Sequence, residues 1–301
     1  MPNNTVTELT AERSPKGRSW GQERRLQFID FRLRWEGRIN RTDLTGFFGL
    51  SIPQASLDIS RYMEIAPGNM MYDRSAKTYV TTPEFQPVYP QSSAQRYLEE
   101  LLATHTGIVD PDASFIGSAP DIDWASLPLR AVDEQTVECV IRAIRENMAI
   151  TILYRSVEQP EDNTQLISPH ALGYDGLRWH VRAYCHQQHR FTDFVLTRIV
   201  QTFDLKPSQI DITQDHEWHR MLTLVLAPHP ALTAAQQRIV EMDYDMVNGQ
   251  TRFNCRQAFL RYTLQRLGLG PATGNALPTG MLILKNPEDI QPYLDEPFSE
   301  Y

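Results

Sequence analysis

The chain lacks the features that mark secreted, membrane-bound and disulfide-built proteins. Only three of its 301 residues are cysteine, and no two of them form a C-x-x-C pair, which fits a reducing compartment. No apolar run is long enough to cross a bilayer, and no charged segment followed by an apolar one marks a signal peptide. We therefore expect a cytoplasmic protein with no membrane partner.

The chain also lacks the excess of basic residues that is common in nucleic-acid-binding proteins. Its formal net charge is -8 and its pI about 5.5. The charge is unevenly distributed, because residues 1–85 hold 12 Lys and Arg against 10 Asp and Glu, whereas the remainder holds 17 against 27. An acidic body with a mildly basic head is compatible with DNA binding, since only the contact face has to be positive.

Length and composition predict more than one domain. With 301 residues, 41% of them hydrophobic and 10% aromatic, the chain can bury several cores, and two or three domains are expected. The order of helix and strand signals predicts an α+β protein in five segments. These are a flexible arm (1–19), a winged helix-turn-helix head (20–85), a connector helix with an acidic loop (86–132), a β-rich domain (133–206) and a C-terminal extension (207–301).

The head carries signals for three helices and a hairpin. A helix is predicted over residues 22–36. Asn40 caps a second helix that ends at Gly49, and Ser51 caps a third. Loose alternation over residues 70–79 predicts a hairpin wing. A short helix, a tight turn and a second helix with small inner residues are typical of a helix-turn-helix.

The third helix of the head has two different faces. The residues predicted to lie inward are Ile52, Ala55, Ser56, Ile59 and Met63, and those predicted to lie outward are Gln54, Leu57, Asp58 and Arg61.

In a major groove, Gln54 and Arg61 can bond adenine and guanine edges, while Leu57 can meet a thymine methyl. Basic residues nearby are expected to contact phosphate. The alternative is a protein-binding domain with a solvated polar face. The candidate DNA-binding residues are Arg41, Ser51, Gln54, Leu57, Arg61, Arg74 and Lys77.

The β-rich domain contains a strand with an unusually polar face. Residues 177–185 alternate strictly, as a two-faced strand does. One face is apolar, whereas the other carries Arg178, His180, Arg182 and Tyr184. A helix over 133–147 followed by four or five short strands predicts a small SH3-like or Sm-like β-barrel.

Motifs in this domain resemble the WYL family. Trp179-His180-Val181 stands where the family has Trp-Tyr-Leu, so His replaces Tyr and Val replaces Leu. Ser168-Pro169-His170, Arg182 and the ending Phe194–Ile199 also fit the family pattern. The domain order resembles that of WYL regulators that accompany bacterial phage-defence systems, the BrxR and CapW type. The resemblance implies a homodimeric DNA-binding repressor that senses a ligand through a WYL barrel.

The polar strand face supports an anion site on its own terms. Arg182 and Arg198, with Arg178 and Arg190, can make bidentate contacts to phosphate. Tyr154 or Tyr184 can stack on a base. The candidate ligand-binding residues are Tyr154, Ser168, His170, Trp179, His180, Arg182, Tyr184, Arg190 and Arg198.

Other interpretations of these residues stay open. Some of the arginines can instead pair with Asp175, Asp193 or Glu158, and His180 can be a structural histidine. His186 and His189 have H-x-x-H spacing, but no carboxylate or thiolate with suitable spacing accompanies them.

A Ser168–His170 nucleophile pair lacks a G-x-S-x-G elbow and an orienting acid. We therefore expect that the protein is not an enzyme and that it has neither a metal site nor a cofactor.

The C-terminal extension alternates strand and helix signals, which predicts a small α/β sandwich. Such a domain can cross over to the partner in a dimeric regulator. Phe259, Leu260, Leu264 and Leu267 then either contribute to the dimer interface or form only the core of this domain.

These features and the resemblance together predict a homodimeric, DNA-binding transcriptional repressor of a phage-defence operon. Its expected partners are a double-stranded operator with an inverted repeat and a nucleotide or short nucleic-acid effector, which binds the WYL domain and releases DNA. The alternative is a nucleic-acid- or nucleotide-sensing adaptor whose head binds protein rather than DNA.

Overall fold

Contacts in the computed structural model divide the chain into two units, Met1–Ser126 and Leu127–Tyr301. The predicted arm, parts of the acidic loop and Glu158 lie outside the described residues. The finer division into five segments stays a prediction. The structure describes residues 20–125, 128, 131–157, 160–269 and 280–295.

The N-terminal unit contains a winged helix. Its three short strands form an antiparallel sheet in the order β1-β3-β2, with the wing hairpin pairing Met71 opposite Val80. Helix α4 (Ala94–His105) follows the wing. The winged helix consists of α1 (Trp20–Glu36), β1 (Arg38–Ile39), α2 (Arg41–Phe48), α3 (Ile52–Ile65), β2 (Met70–Asp73) and β3 (Thr78–Thr81).

Aromatic packing holds the helices of this unit together. The ring of Phe28 lies 4.7 Å from that of Phe47 and 5.2 Å from that of Phe115, measured between centroids. Edge-to-face and tilted aromatic pairs add to the free energy of burial. The core therefore joins α1, α2 and the segment after α4.

A buried carboxylate in α1 connects α3 to the connector segment. Asp30 is fully buried and accepts hydrogen bonds from the hydroxyls of Tyr62 and Ser92, each at 2.5 Å. The backbone N–H groups of Val88 and Tyr89 also donate to it. Burial and the Asp30 hydrogen bond raise the pKa of Tyr62, so its hydroxyl stays a donor.

The C-terminal unit begins with α5 and a five-stranded antiparallel sheet in the order β7-β6-β5-β4-β8. Among the described residues no ladder joins the edge strands β7 and β8, so the predicted closed barrel is not seen. A 3-10 turn, Leu196–Arg198, carries the chain from β7 to β8. The elements are α5 (Glu134–Glu146), β4 (Met148–Tyr154), β5 (Asn163–Tyr174), β6 (Trp179–Cys185), β7 (Arg190–Val195) and β8 (Ile199–Pro207).

One face of this sheet packs against α5 through apolar side chains. Val140 and Ala143 of α5 share a core with Ile150, Val181 and Ala183 of the sheet. The alternation over 177–185 thus places Val181 and Ala183 in the core, as predicted.

The last part of the chain forms a three-stranded antiparallel sheet in the order β10-β9-β11. Leu222 and Leu224 pack with Leu260, Leu264 and Ile290. Leu260 and Leu264 are therefore core residues, which decides between the two roles left open for them. The elements are α6 (His216–His219), β9 (Met221–Pro228), α7 (Ala234–Asp243), β10 (Thr251–Arg256), α8 (Leu260–Arg266), β11 (Leu282–Leu284) and α9 (Pro287–Leu294).

Candidate nucleic-acid interface and effector site

Capping residues fix the start of helix α3. Gly49 adopts φ 64°, in the left-handed region, and ends α2. Ser51 then caps α3 by accepting a hydrogen bond from the backbone N–H of Gln54. Since its hydroxyl serves the cap, the structure gives Ser51 a positioning role in this helix.

The solvent-facing side of α3 differs from the predicted one. Leu57 is 64% exposed and Arg61 is also exposed, as expected. Ile52 and Met63, predicted to lie inward, are exposed, whereas Asp58 is fully buried. The buried side includes an aspartate because a cation from another helix neutralises it there.

Arg25 of α1 supplies that cation. Its Nε donates to Asp58 Oδ2 at 2.6 Å and its Nη2 to Asp58 Oδ1 at 3.2 Å. The amide nitrogen of Gln54 donates to Asp58 Oδ2 at 3.2 Å. The buried carboxylate therefore holds both α1 and the Gln54 side chain.

The predicted phosphate contact Arg41 is engaged within the protein. Its Nε donates to the Ser56 hydroxyl at 2.8 Å and its Nη2 to the Tyr79 hydroxyl at 3.3 Å. These bonds join α2, α3 and the wing. In this conformation Arg41 positions the helix-turn-helix.

The wing tip presents two exposed cations. Arg74 and Lys77 are both exposed in the turn between β2 and β3. Asp73 shapes this turn by accepting from the backbone N–H groups of Ser75 and Ala76. Among the residues that the structure describes, Arg61 on α3 pairs only with exposed Glu64, at 2.5 Å. Such surface pairs contribute about 0–1 kcal/mol.

The polar face of β6 is buried, and Arg182 lies at its centre. Arg182 is 1% exposed, and its guanidinium bonds Asp215 twice, at 2.7 and 2.8 Å. It also donates to Asp193 at 3.3 Å and to Glu217 at 2.7 Å. The bidentate phosphate contact expected of Arg182 is therefore unavailable in this structure, because carboxylates of the same chain occupy its donors.

Two histidines, one on β5 and one on β6, also bond carboxylates. His170 Nε2 lies 2.8 Å from Asp215 Oδ2, and His180 Nε2 lies 2.9 Å from Asp175 Oδ2. The His180 ring packs 4.8 Å from that of Tyr262, between centroids. Both imidazoles therefore have structural partners, as the alternative interpretation of His180 proposed.

Two further candidates are buried. The Tyr154 side chain is fully buried, and its hydroxyl accepts from the backbone N–H of Val195, so its ring offers no face to a base here. Ser168 accepts from the Ser208 hydroxyl at 2.8 Å and lies 2.9 Å from His186 Nε2.

The remaining candidates are accessible but are not gathered around Arg182. Arg182 lies opposite Asp193 in the β6–β7 ladder, so Arg190, three residues from Asp193, points to the other face. Its Nε donates to Gln188 at 2.9 Å. Arg198 lies half-buried in the 3-10 turn.

Two aromatic candidates reach solvent at opposite ends of β6. Trp179 is 48% exposed and packs on Tyr174, with centroids 5.0 Å apart. Tyr184 is half-buried and packs edge-on against His186 and Phe191.

Burial and hydrogen bonds shift the pKa values of the carboxylates that pair with Arg182 and His180. Burial raises the pKa of Asp193 to about 7, although Arg182 opposes this shift. Burial also disfavours the carboxylate of Asp215, but hydrogen bonds from Arg182 and His170 outweigh it and hold the pKa of Asp215 well below its ordinary value. At Asp175, burial is outweighed by the hydrogen bond from His180, and the pKa falls to about 2.

Three family models match the chain in the order of its folded parts. The BrxR transcriptional regulator winged helix-turn-helix domain matches residues 21–103. The WYL domain matches residues 135–203, and the BrxR transcriptional regulator C-terminal dimerization domain matches residues 221–290.

Curated relatives match along nearly the whole chain. The DNA-binding transcriptional repressor CapW of Escherichia coli strain KTE188 is 42% identical over 98% of this chain and 100% of its own. The chain belongs to the BrxR/CapW family of transcriptional regulators. CapW of Stenotrophomonas maltophilia is 43% identical over 92% of this chain and 93% of its own, and CapW of Pseudomonas aeruginosa is 43% identical with the same coverage.

Among solved structures, proteasome accessory factor B/C (PafBC) of Arthrobacter aurescens aligns with 91% of this chain and 46% of its own length. Its identity is 14% and its TM-score 0.28, which is too low to support an argument. No helix in the described part of the chain is long and apolar enough to span a membrane.

Several residues of this BrxR/CapW member could not be found by sequence patterns. Asp215 and Glu217 reach Arg182 from the segment between two domains matched by the family models, 33 and 35 positions along the chain. Asp58 looked like an outward polar residue because its partner Arg25 is 33 positions away. For this acidic pair the one local signal was the position of Asp215, which stands two residues before Glu217 and directly ahead of the short helix α6.

Proposed function

We propose that this chain is a homodimeric, DNA-binding transcriptional repressor. The observation that carries the proposal is the exposed side of α3, where Leu57 and Arg61 face solvent beside Gln54. A helix enters the major groove with such a face, and its side chains read base edges. The curated relatives carry the name of DNA-binding repressors, which supports the same role.

Base reading and phosphate binding are assigned to different residues. Arg61 and Leu57 would meet bases, since the weak surface pair with Glu64 is easily exchanged for a nucleic-acid contact. Arg74 and Lys77 at the wing tip would contact phosphate. Ser51 and Arg41 would hold α3 in place.

The test measures binding of the full-length chain to the DNA upstream of its own gene by fluorescence anisotropy, at several salt concentrations. Arg61→Ala should weaken selective binding by roughly 5- to 150-fold. Arg74→Ala should weaken binding to all duplexes alike and lower the salt slope by about 1. Arg155→Ala, which removes an exposed arginine from the C-terminal unit, is the control.

The absence of salt-dependent, sequence-selective binding would contradict the repressor proposal and favour an adaptor whose head binds protein.

For the dimer, we propose that a second copy covers an apolar surface on the C-terminal domain. Met242 is 81% exposed, Val247 70% and Ile239 58%, and they lie within the segment matched by the dimerization-domain model. Met242→Glu should convert the dimer to a monomer in sedimentation experiments, whereas Val157→Glu, also at an exposed valine, should not. A dimer that survives Met242→Glu would place the interface elsewhere.

The effector and the regulated genes are proposed from the family resemblance. The effector would be a nucleotide or short nucleic acid, and the target a phage-defence operon. Its phosphate would replace the carboxylates of Asp215 and Glu217 at Arg182, because those acids already bond the guanidinium as a phosphate does. Tyr184, which shares the face of Arg182 on β6, and Arg198 remain candidate contacts, whereas Trp179 and Arg190 lie on the opposite face of the sheet and would serve a ligand only there.

If the effector displaces acids from Arg182, removing the charge of one acid should make the protein release DNA at a lower effector concentration. Nucleoside phosphates and short single-stranded oligonucleotides would be titrated against the protein–DNA complex. Since Glu217 is the most exposed of the three acids around Arg182, Glu217→Gln should lower the effector concentration that releases DNA. If no such anion releases DNA from the wild type, the effector is of another class.

A further inference from the structure

The buried aspartate of α3 fixes which atoms of Gln54 face outward. Asp58 is fully buried, and its carboxylate accepts both nitrogens of the Arg25 fork. It also accepts the Gln54 amide nitrogen, Nε2, at 3.2 Å. A carboxylate paired with arginine is only an acceptor. The Gln54 amide must therefore turn its NH2 group toward Asp58, because its oxygen would meet like charge there.

Reversing the Gln54 amide would cost more free energy than the loss of one hydrogen bond. Turning Gln54 over would place its carbonyl oxygen against Asp58 Oδ2, an oxygen already 2.6 Å from Arg25 Nε. The buried carboxylate would then face a second acceptor in place of a donor. Asp58 thus selects one of the two flips that an isolated glutamine adopts equally.

The selected flip leaves a defined pattern on the solvent side. Within the described residues Gln54 Oε1 has no hydrogen bond, and the side chain is half-exposed at the edge of the outer face of α3. It therefore presents one acceptor and one remaining N–H. Adenine offers the complementary pair in the major groove, a donor at N6 and an acceptor at N7, whereas guanine offers two acceptors, O6 and N7.

We propose that Asp58, itself oriented by Arg25, is a positioning residue that makes Gln54 select adenine over guanine. The inference rests on the proposed function, since it assumes that α3 lies in a major groove. Base specificity would then depend on a buried pair that never touches DNA. In this account Asp58 contributes base preference, and the exposed cations of the wing contribute general affinity.

The experiment uses the full-length chain and the upstream DNA. Each base pair of the bound site is first replaced in turn, and binding is measured for wild type and for Gln54→Met. This comparison identifies the base pair at which Gln54→Met no longer distinguishes one base from another. At that base we compare adenine, guanine and a purine that lacks the 6-amino group. Wild type should prefer adenine to both by roughly 5- to 150-fold, and Gln54→Met should bind all three within a few-fold.

Asp58→Asn tests the positioning role. An asparagine can donate to or accept from Gln54, so both flips become available and the preference for adenine over guanine should fall to a few-fold. Binding to unrelated duplex DNA should not change, which separates this effect from damage to the fold. Asp43→Asn removes the same charge from the capping box of α2 and should keep the preference.

If Asp58→Asn does not fold, the modified purine with wild-type protein still tests the adenine contact of Gln54 that the positioning role requires. Loss of affinity on removal of the amino group, absent in Gln54→Met, supports the proposal. A preference for guanine, or no effect of removing the amino group, overturns it while the repressor assignment stands. Absence of any selective binding by wild type overturns both.

Discussion

Replacing Arg182 by methionine should severely destabilise the C-terminal unit. The guanidinium is 1% exposed and bonds three carboxylates. Two of them, Asp193 and Asp215, have almost fully buried side chains. Methionine fills similar space without charge, so the variant leaves Asp215 buried without its cation, while Asp193, whose pKa is about 7 even beside Arg182, takes up a proton.

The magnitude follows from the cost of breaking a buried ion pair on one side. Removing one partner costs about 3–5 kcal/mol, because the other charge stays buried. Asp215 also loses both of its short bonds to Arg182, whereas Glu217 is partly exposed and regains water. With a urea dependence of about 2 kcal/mol per molar, the midpoint should fall by roughly 1.5–2.5 M.

The assay is urea unfolding, with hydrogen exchange on peptides from β6 and β7 to assign the transition to the C-terminal unit. Arg190→Met is the matched control, since Arg190 lies half-exposed on the next strand and bonds only Gln188 among the described residues. It should change stability by less than about 0.5 kcal/mol. Adding Asp215→Asn to Arg182→Met should cost less than the sum of the two changes, with a coupling above about 1 kcal/mol. Equal effects of the two arginine variants would refute the reasoning.

Two further predictions concern buried carboxylates. Burial raises the pKa of Asp193 to about 7. The stability that its protonated form contributes is therefore present below about pH 4 and is lost as pH rises through 7. In urea unfolding, the stability of Asp193→Asn should vary less between pH 5 and 8 than that of wild type, and parallel profiles would contradict this. Asp30 accepts four hydrogen bonds in the N-terminal unit, so Asp30→Asn should destabilise that unit by about 2–4 kcal/mol in thermal unfolding. The control Asp112→Asn, at an exposed residue, should have a small effect. Similar losses of stability in both variants would contradict the stabilising role of Asp30.

Local signals in the sequence predicted much of the fold. Asn40 caps α2 and Gly49 ends it in the left-handed region, as expected. Period-two alternation placed Val181 and Ala183 in the core. These features depend on residues a few positions apart, so their spacing alone carries the information.

The candidate sites depend on pairs that are far apart in the chain, and there the predictions diverge from the structure. The polar face of β6 looked like an open anion site, yet Asp215, 33 positions later, buries it. The spacing of β7 alone gives its two faces, but only the register with β6 shows that Arg190 lies away from Arg182. No local sequence pattern predicts a partner residue that lies in another segment of the chain.

Chemical footprinting on the DNA upstream of the gene tests the central claim most directly. A dimer that inserts α3 into DNA should protect two symmetry-related major-groove segments, separated by a whole number of helical turns of about 10–10.5 base pairs. At the protein concentration that just protects the site with wild type, Arg61→Ala should lose both protected segments while the protein remains dimeric, because its binding is roughly 5- to 150-fold weaker. Protection that Arg61→Ala leaves unchanged, or no protection by wild type, would contradict the claim that this face of α3 reads DNA.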